Sequence, residues 1–191
     1  MFYNSIMAGM MITIGAMANL AVGGGPLGAV IFSVGLISIV SLQLNLFTGK
    51  AGLLATNELR IPHILAIWYG NAIGTCVAGL LTLGKYSSLA QKIFEAKLPH
   101  GYLINFFAAI LCGVLMYAAV TGYKETRSFV PVVFCVAAFI ICGFNHCVAD
   151  MAYLSLMTAG FTKGHFCLLL VDTLGNLIGC NIIPIGKRLA F

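Results

Sequence analysis

Six long apolar runs, separated by short polar breaks, dominate this amino-acid sequence. They lie near residues 5–21, 27–55, 61–83, 103–120, 129–159 and 166–186. An α-helix needs about 20 apolar residues to cross the hydrocarbon core of a bilayer, so these runs predict membrane-spanning helices. The segments between them are too short to fold separately. We therefore expect residues 1–191 to form one all-α transmembrane domain of six helices.

The composition agrees with a surface that faces lipid. Hydrophobic residues make up 61% of the chain and charged residues 8%, whereas a soluble domain has about 25% charged residues. The formal net charge of +5 comes from 10 Lys and Arg against 5 Asp and Glu. So few charges are typical of membrane flanks and do not form a basic patch. This composition excludes a cytosolic enzyme, a disordered region and a nucleic-acid-binding module.

Neither the cysteines nor the histidines predict a cofactor. The seven cysteines lie in apolar stretches without a Cys-x-x-Cys pair, which favours small buried hydrophobes over a disulfide framework or a zinc site. A membrane redox enzyme with haem held by two histidines is disfavoured, because His146 alone lies in the middle of an apolar run. We expect a protein that is not an enzyme and holds no metal.

The second and fifth runs are too long for simple helices, and each contains polar residues deep inside it. These are Asn45, Thr48, Gly49 and Lys50 in the second run, and Asn145, His146 and Asp150 in the fifth. Irregular backbone at membrane depth is tolerated only where it is buried in protein or lines a watery cavity. Two interrupted helices in corresponding positions of two halves indicate a transport site.

The two halves of the chain correspond to each other. Residues 45–50 align with residues 145–150, and the Gly-Asn-x-Ile-Gly element at 70–74 aligns with the one at 175–179. Because each half holds three spans, an odd number, the second half must insert upside down. The sequence therefore predicts a three-plus-three inverted repeat, with the first repeat near 5–83 and the second near 103–186.

At these residues the sequence resembles the formate/nitrite transporter family, which also contains hydrosulfide channels. The matching elements are the Asn-Leu-Phe-Thr-Gly-Lys loop at 45–50, the Gly-Phe-Asn-His-Cys-Val-Ala-Asp loop at 143–150 and the two Gly-Asn elements. The resemblance implies an aquaporin-like fold, a homopentamer in the bilayer and one pore in each protomer. It also implies a channel or proton-linked transporter for a small monovalent anion such as formate, nitrite, hydrosulfide or a short carboxylate.

The resemblance further implies which residues line the pore. The central histidine corresponds to His146 and its hydroxyl partner to Thr48. The apolar constrictions correspond to five residues, Phe32 and Phe139 on one side and Leu36, Leu46 and Phe47 on the other. The basic residue at a vestibule mouth corresponds to Lys97.

Four positions depart from the family pattern. The two loop glutamates are Asn45 and Asn145 here, and the two asparagines that follow them are Lys50 and Asp150. A lone charge at the bilayer centre costs about 2.5–3.5 kcal/mol on insertion scales, so we predict that Lys50 and Asp150 pair across the two loops. The substrate stays open, and an aquaporin-like pore for small neutral solutes is the alternative.

Two further positions stand apart from the motifs. The asparagine of the family's fourth span corresponds to Gly113 in this chain, and the sequence does not explain Asp172 in the sixth span. The chemistry of the pore itself follows from charge. A small anion meets a high desolvation cost at an apolar constriction, whereas its neutral conjugate acid does not. Proton-linked passage with a hydrogen bond from His146 is therefore expected.

The orientation in the membrane follows from the basic residues. Six spans place both termini on one side, and the start of the chain lacks the basic segment of a signal peptide. Five basic residues lie on the side of the termini, against four on the other: Arg60, Lys124, Arg127, Lys187 and Arg188 against Lys85, Lys92, Lys97 and Lys163. This predicts cytoplasmic termini, as the resemblance does, in a multi-pass protein of a bacterial inner membrane.

Overall fold

The chain folds almost entirely into α-helices. The computed structural model describes residues 1–82 and 84–190, and no β-strand occurs in these ranges. The helices are α1 (Phe2–Ala21), α2 (Gly25–Ser41), α3 (Phe47–Lys50), α4 (Ile61–Leu80), α5 (Ser87–Glu95), α6 (Gly101–Thr126), α7 (Val130–Ile141), α8 (Cys147–Leu156) and α9 (Lys163–Leu189). Two short 3₁₀ turns cover Ala51–Leu54 and Leu98–His100.

These helices match the six predicted runs closely. The first, third, fourth and sixth runs each contain one long helix, and four helical stretches are long and apolar enough to cross a membrane. The second and fifth runs are interrupted, as predicted, because α2 is followed by α3 and α7 by α8 after a short non-helical segment. The end of the third run at residue 83 lies outside the described residues. The segment between the third and fourth runs contains the additional short helix α5.

The two halves pack in equivalent ways. In the first half α1 contacts α2 and α4, and in the second half α6 contacts α7 and α9. The helices that precede the breaks, α2 and α7, pack against each other. This equivalence agrees with the predicted repeat, whose upside-down relation stays a prediction.

The break between α2 and α3 is held by one buried asparagine side chain. Asn71 of α4 accepts a hydrogen bond from the Phe47 backbone N–H at 2.8 Å. Its amide nitrogen donates to the carbonyls of Ser5, at 2.7 Å, and Asn45, at 2.9 Å. A broken helix leaves backbone groups without partners, and inside a membrane no water replaces them. Asn71 therefore supplies the bonds that the interrupted helix lacks.

The second break uses the same device. Asn176 of α9 accepts from the Cys147 backbone N–H at 2.8 Å. Its amide nitrogen donates to the carbonyls of Ala109 and Asn145, both at 2.8 Å. The asparagine of each Gly-Asn element thus holds the break of its own half, which explains why this element occurs twice in the sequence.

Glycines bring the long helices into backbone contact within each half. A Cβ atom on Gly74 of α4 would lie 1.9 Å from the Ile6 carbonyl oxygen of α1, and one on Gly179 of α9 would lie 2.1 Å from the Ile110 oxygen of α6. Small residues allow this close approach between membrane helices. The pairs α1–α4 and α6–α9 therefore form the rigid walls against which the broken helices pack.

Gly113 has the same packing role in α6. A Cβ atom there would lie 2.6 Å from the Asn176 carbonyl oxygen of α9. The position where the family pattern has an asparagine therefore has no room for a side chain in this chain.

The outer surface of the long helices is apolar. Large exposed hydrophobic side chains occur on α4, α6, α7 and α9, among them Leu65, Leu103, Phe134 and Leu174. Extended exposed apolar surface of this kind marks contact with a membrane or with another subunit. Several buried polar side chains lie at the two breaks, among them Thr48, Asn71, Asn145, His146 and Asn176.

Candidate functional site

The tips of the two broken helices meet at a buried contact between Thr48 and His146. Thr48 Oγ1 and His146 Nε2 lie 2.8 Å apart, and both side chains are at most 2% exposed. His146 is the N-cap residue of α8, and its Nδ1 accepts a hydrogen bond from the Ala149 backbone N–H at 3.0 Å. Predicted as partners from the sequence, the two residues are brought together by the fold.

The capping bond decides where the proton of the neutral imidazole lies. Nδ1 of His146 accepts a hydrogen bond from Ala149, so in the neutral ring the proton must be on Nε2. Nε2–H then donates to the Thr48 hydroxyl oxygen. A substrate that binds at His146 has to share this N–H with Thr48 or replace Thr48 as its acceptor.

Beside His146 lies a closed apolar space, which we call the dry segment. It has no room for the centre of a water molecule. Its wall is formed by Ile12, Phe32, Leu36, Leu46, Met116, Val136, Phe139 and His146. Phe32 and Phe139 meet edge to face with ring centroids 5.9 Å apart, and Phe139 stacks on His146 at 5.6 Å. The aromatic rings therefore close the segment next to the histidine.

Most of the predicted constriction residues come together in the dry segment. Phe32, Leu36, Leu46 and Phe139 all line it, and their division into two constrictions stays a prediction. Phe47 does not line the dry segment or the cavities on either side of it. Its backbone N–H is bound by Asn71 at the start of α3, and its side chain is buried in the core.

Three residues of the dry segment were missed by sequence reasoning. Ile12 of α1, Met116 of α6 and Val136 of α7 complete its wall. An apolar residue in a membrane helix carries no signal that separates a pore wall from a lipid-facing surface. Their role is visible only once the helices are packed.

On one side the dry segment opens toward a cavity of about 470 Å³, which we call the Lys50 mouth. Three basic residues line it, Lys50 at the end of α3 and Lys124 and Arg127 at the end of α6, together with Tyr123. Leu46 lines both this cavity and the dry segment, so the two spaces adjoin. The three cations give this mouth a positive potential that concentrates anions.

On the other side lies a cavity of about 200 Å³, which we call the Lys97 mouth. It is lined by Lys97 and His100 from the segment after α5, and by Phe139, His146 and Tyr153. Phe139 and His146 also line the dry segment. The dry segment therefore shares wall residues with both mouths, and His146 lines both the dry segment and the Lys97 mouth. We call this series of three spaces the path.

The predicted pair between Lys50 and Asp150 is wrong. Asp150 is fully buried in α8 and forms an ion pair with Lys97, whose Nζ donates a hydrogen bond to Asp150 Oδ1. Lys50 lines the opposite mouth. The fold places Asp150 against Lys97 and leaves Lys50 in the wall of the Lys50 mouth, so equivalent positions in the two halves do not meet.

The four loop residues expected to form one polar network are divided between two places. Asn145 is buried and donates to Asn105 Oδ1 at 2.8 Å and to Asp172 Oδ1 at 2.9 Å. Asn45 is half-buried, and its amide bonds the Met1 carbonyl near the surface at 3.0 Å. The second loop therefore belongs to a buried network around Asp150, and the first loop does not.

Asn105 is a functional candidate that sequence reasoning missed. Its amide nitrogen donates to the carbonyls of Lys97 and Gly101, both at 2.9 Å, while its oxygen accepts from Asn145. It thereby fixes the backbone that carries Lys97. A polar residue one turn into a long apolar run was the available signal.

The formate/nitrite transporter family model matches residues 1–186 of the chain. The chain belongs to this family. Members that resemble it include the formate channel FocA of Haemophilus influenzae, 25% identical over 73% of the chain and 57% of the relative. The nitrite transporter NirC of Salmonella typhimurium is 26% identical over 77% of the chain and 64% of the relative. The chain thus spans about three fifths of the length of these curated relatives.

Solved structures of the formate/nitrite transporter family have the same fold. An ion channel of this family superposes with a TM-score of 0.88 at 25% identity, over 100% of the chain and 89% of the channel. A pentameric formate channel with formate bound superposes with a TM-score of 0.81 at 23% identity, over 99% and 94%. The fold class and the family that the loop motifs implied are therefore confirmed.

Proposed function

We propose that this member of the formate/nitrite transporter family is a channel or proton-linked transporter for a small monovalent anion. The observation that carries the proposal is the path itself. A dry apolar segment lies between two mouths, and His146 stands at its end with its imidazole oriented by Thr48 and Ala149. This arrangement suits a solute that is charged in the mouths and neutral in the dry segment.

The walls dictate how such a solute moves. An anion enters a mouth as an ion, attracted by lysine or arginine side chains. It cannot enter the dry segment with its charge, because the apolar wall offers nothing to replace its water. A weak acid that takes a proton from water in the mouth crosses as the neutral form and releases the proton on the other side. Nε2–H of His146 offers the hydrogen bond that orients it.

Flux into proteoliposomes tests the proposal directly. Formate, nitrite and hydrosulfide are compared with urea and glycerol at two pH values, with protein-free liposomes as the control. Flux of one or more anions that rises at lower pH is expected, because the neutral acid is then more abundant. Flux of urea or glycerol alone would identify a neutral-solute pore and contradict the proposal.

We further propose a homopentamer with one path in each protomer, in a bacterial inner membrane and with both termini in the cytoplasm. Similarity to a pentameric formate channel supports the assembly, and the exposed apolar helix faces are suited to subunit and lipid contacts. Native mass spectrometry in detergent measures the subunit number. Labelling of single cysteines placed at the termini of a cysteine-free variant measures their side.

A further inference from the structure

The only two aspartates of the chain lie in one buried hydrogen-bond network. Asp150 lies in α8 and Asp172 in α9, and both side chains are fully buried. Asn145 donates to Asp172 and to Asn105, and Asn105 binds the backbone carbonyl of Lys97, whose ammonium group binds Asp150. The three other acidic residues are glutamates outside this network, Glu58, Glu95 and Glu125. Two buried carboxyl groups in one network need an explanation, because like charges that share a site repel each other.

Each carboxyl group has one partnered and one unpartnered oxygen. Oδ1 of Asp150 accepts from Lys97 Nζ, and Oδ1 of Asp172 accepts from Asn145 Nδ2 at 2.9 Å. Oδ2 of each aspartate is buried without a hydrogen-bond partner among the described residues, and so is Oδ1 of Asn145. Leaving buried oxygen atoms without a donor is costly. The cluster therefore lacks a hydrogen that the protein groups around it do not supply.

The charges of the cluster do not balance either. Among the described residues, Lys97 is the one lysine or arginine with an ion pair to either aspartate, so two ionised aspartates would leave one uncompensated negative charge. The other titratable groups near the pair are the thiols of Cys112 and Cys147 and the hydroxyl group of Tyr153. His146 lines the same cavity as Lys97. Nearer the start of α9, His165 Nε2 lies 3.8 Å from Glu95 Oε1. A single buried charge without a counterion is strongly disfavoured.

We propose that Asp150 and Asp172 share one proton, so that Lys97, Asp150 and Asp172 form a neutral cluster. The proton is covalently bound to one of the two carboxyl groups. It removes both defects at once, because it balances the charge of Lys97 and the two carboxyl groups and supplies a hydrogen to the unpartnered oxygen atoms of the cluster.

This proton also controls the charge behind the Lys97 mouth, a consequence that rests on the proposed function. Lys97 lines the mouth next to His146. With the proton bound, the cluster is neutral and an incoming anion meets the lysine without net repulsion. When rising pH removes the proton, the cluster carries a net negative charge that opposes anions. Anion flux then falls more steeply with pH than the fraction of neutral acid alone requires.

Infrared spectroscopy of the whole protein in lipid tests the shared proton without any transport assay. The chain is produced with aspartate whose side-chain carboxyl carries a heavy carbon isotope, so that the label reports on Asp150 and Asp172 only. A carbonyl band of a protonated carboxyl group is expected at neutral pH, shifted by the label. In D172N, where Asp150 is left as a carboxylate paired with Lys97, the band should disappear. E125Q removes an exposed carboxyl group and should leave the band unchanged.

The isotope shift in the unmodified protein keeps the test valid even where D172N folds poorly. A protonated band that the label does not shift, or no such band at any pH where the protein stays folded, would overturn the proposal. Sodium-dependent thermal stability without a protonated band would overturn it in favour of a cation held by the same oxygens. If the band is present but no anion is transported, the shared proton stands and the proposed function fails.

Discussion

At the scale of single residues, the buried acidic groups of this chain lie at other sequence positions than in the family pattern. The family pattern has a glutamate where this chain has Asn145, and this chain has aspartates at 150 and 172. The amide of Asn145 donates to Asn105 and to Asp172 at the same time. A carboxylate at position 145 could only accept hydrogen bonds, so it would repel Asp172. Asn145 therefore suits the two buried aspartates, because its amide donates hydrogen bonds and carries no charge.

Replacing Thr48 with valine tests its role as the partner of His146. Valine keeps the shape of the side chain but leaves Nε2–H of His146 buried without an acceptor, so the ring loses its fixed orientation. Because a hydrogen bond contributes about 0.5–1.5 kcal/mol, we expect anion flux in proteoliposomes to fall between about twofold and tenfold. Thr48→Ser keeps the hydroxyl group and should keep most of the flux. Equal loss in both variants would argue against the hydrogen bond.

Removing Lys97 tests the corrected ion pair. Lys97→Met leaves the buried Asp150 without its cation, and breaking a buried pair on one side costs about 3–5 kcal/mol. We expect a large decrease in the melting temperature in detergent, partly restored by adding Asp150→Asn. Lys50→Met is the matched control, because Lys50 lines the opposite mouth. A stability loss from Lys50→Met as large as that from Lys97→Met would restore the original pairing.

At the scale of helices, the two breaks are the elements that build the site. Neither α3, with four residues, nor α8, with ten, is long enough to be stable alone. Each is fixed by an asparagine from a neighbouring long helix, Asn71 or Asn176. The long helices must therefore be packed at the correct distance before Thr48 and His146 can meet.

A substitution in the α6–α9 contact tests this dependence. Gly179→Ala places a methyl group where its Cβ would lie 2.1 Å from a backbone carbonyl of α6, and overpacking of this kind costs about 1–3 kcal/mol. We expect a lower melting temperature and reduced flux, because α9 carries Asn176 and Asp172. The control is Gly186→Ala in the same helix, which meets nothing within 4 Å. A harmless Gly179→Ala would contradict the close packing.

At the scale of the whole molecule, the path is asymmetric in its charges. The Lys50 mouth carries three basic residues, whereas the lysine of the Lys97 mouth is paired with Asp150. Between the two mouths lies the dry segment, a barrier to charged solutes. The mouths attract and hold ions, and the dry segment decides whether they cross with their charge.

Opening the dry segment should let ions cross with their charge. Phe32→Ala removes a ring that closes the segment against Phe139, and the space left behind admits water. We expect an ionic current across planar bilayers that the unmodified protein lacks. Phe134→Ala on α7 is the control, because Phe134 is 70% exposed on the outer surface. Equal currents from both variants would show that Phe32 does not seal the path.

The amino-acid sequence alone was enough to predict the spans, the two breaks and the family. Hydropathy is a local property, and the loop motifs at 45–50 and 143–150 carry the resemblance by themselves. It also predicted the contact between Thr48 and His146, because the family pattern places both at the breaks. These predictions required no knowledge of the direction in which any side chain leaves its helix.

The partners of the buried charges depended on the three-dimensional arrangement. Asp150 and Lys50 hold equivalent positions in the sequence, yet Asp150 binds Lys97 and Lys50 lines the other mouth. Asp172 had no predicted role until the fold joined it to the network of Asp150 through Asn145. Which charge meets which is set by how the helices are rotated and packed. That packing arises from contacts between residues far apart in the chain, where no local pattern records it.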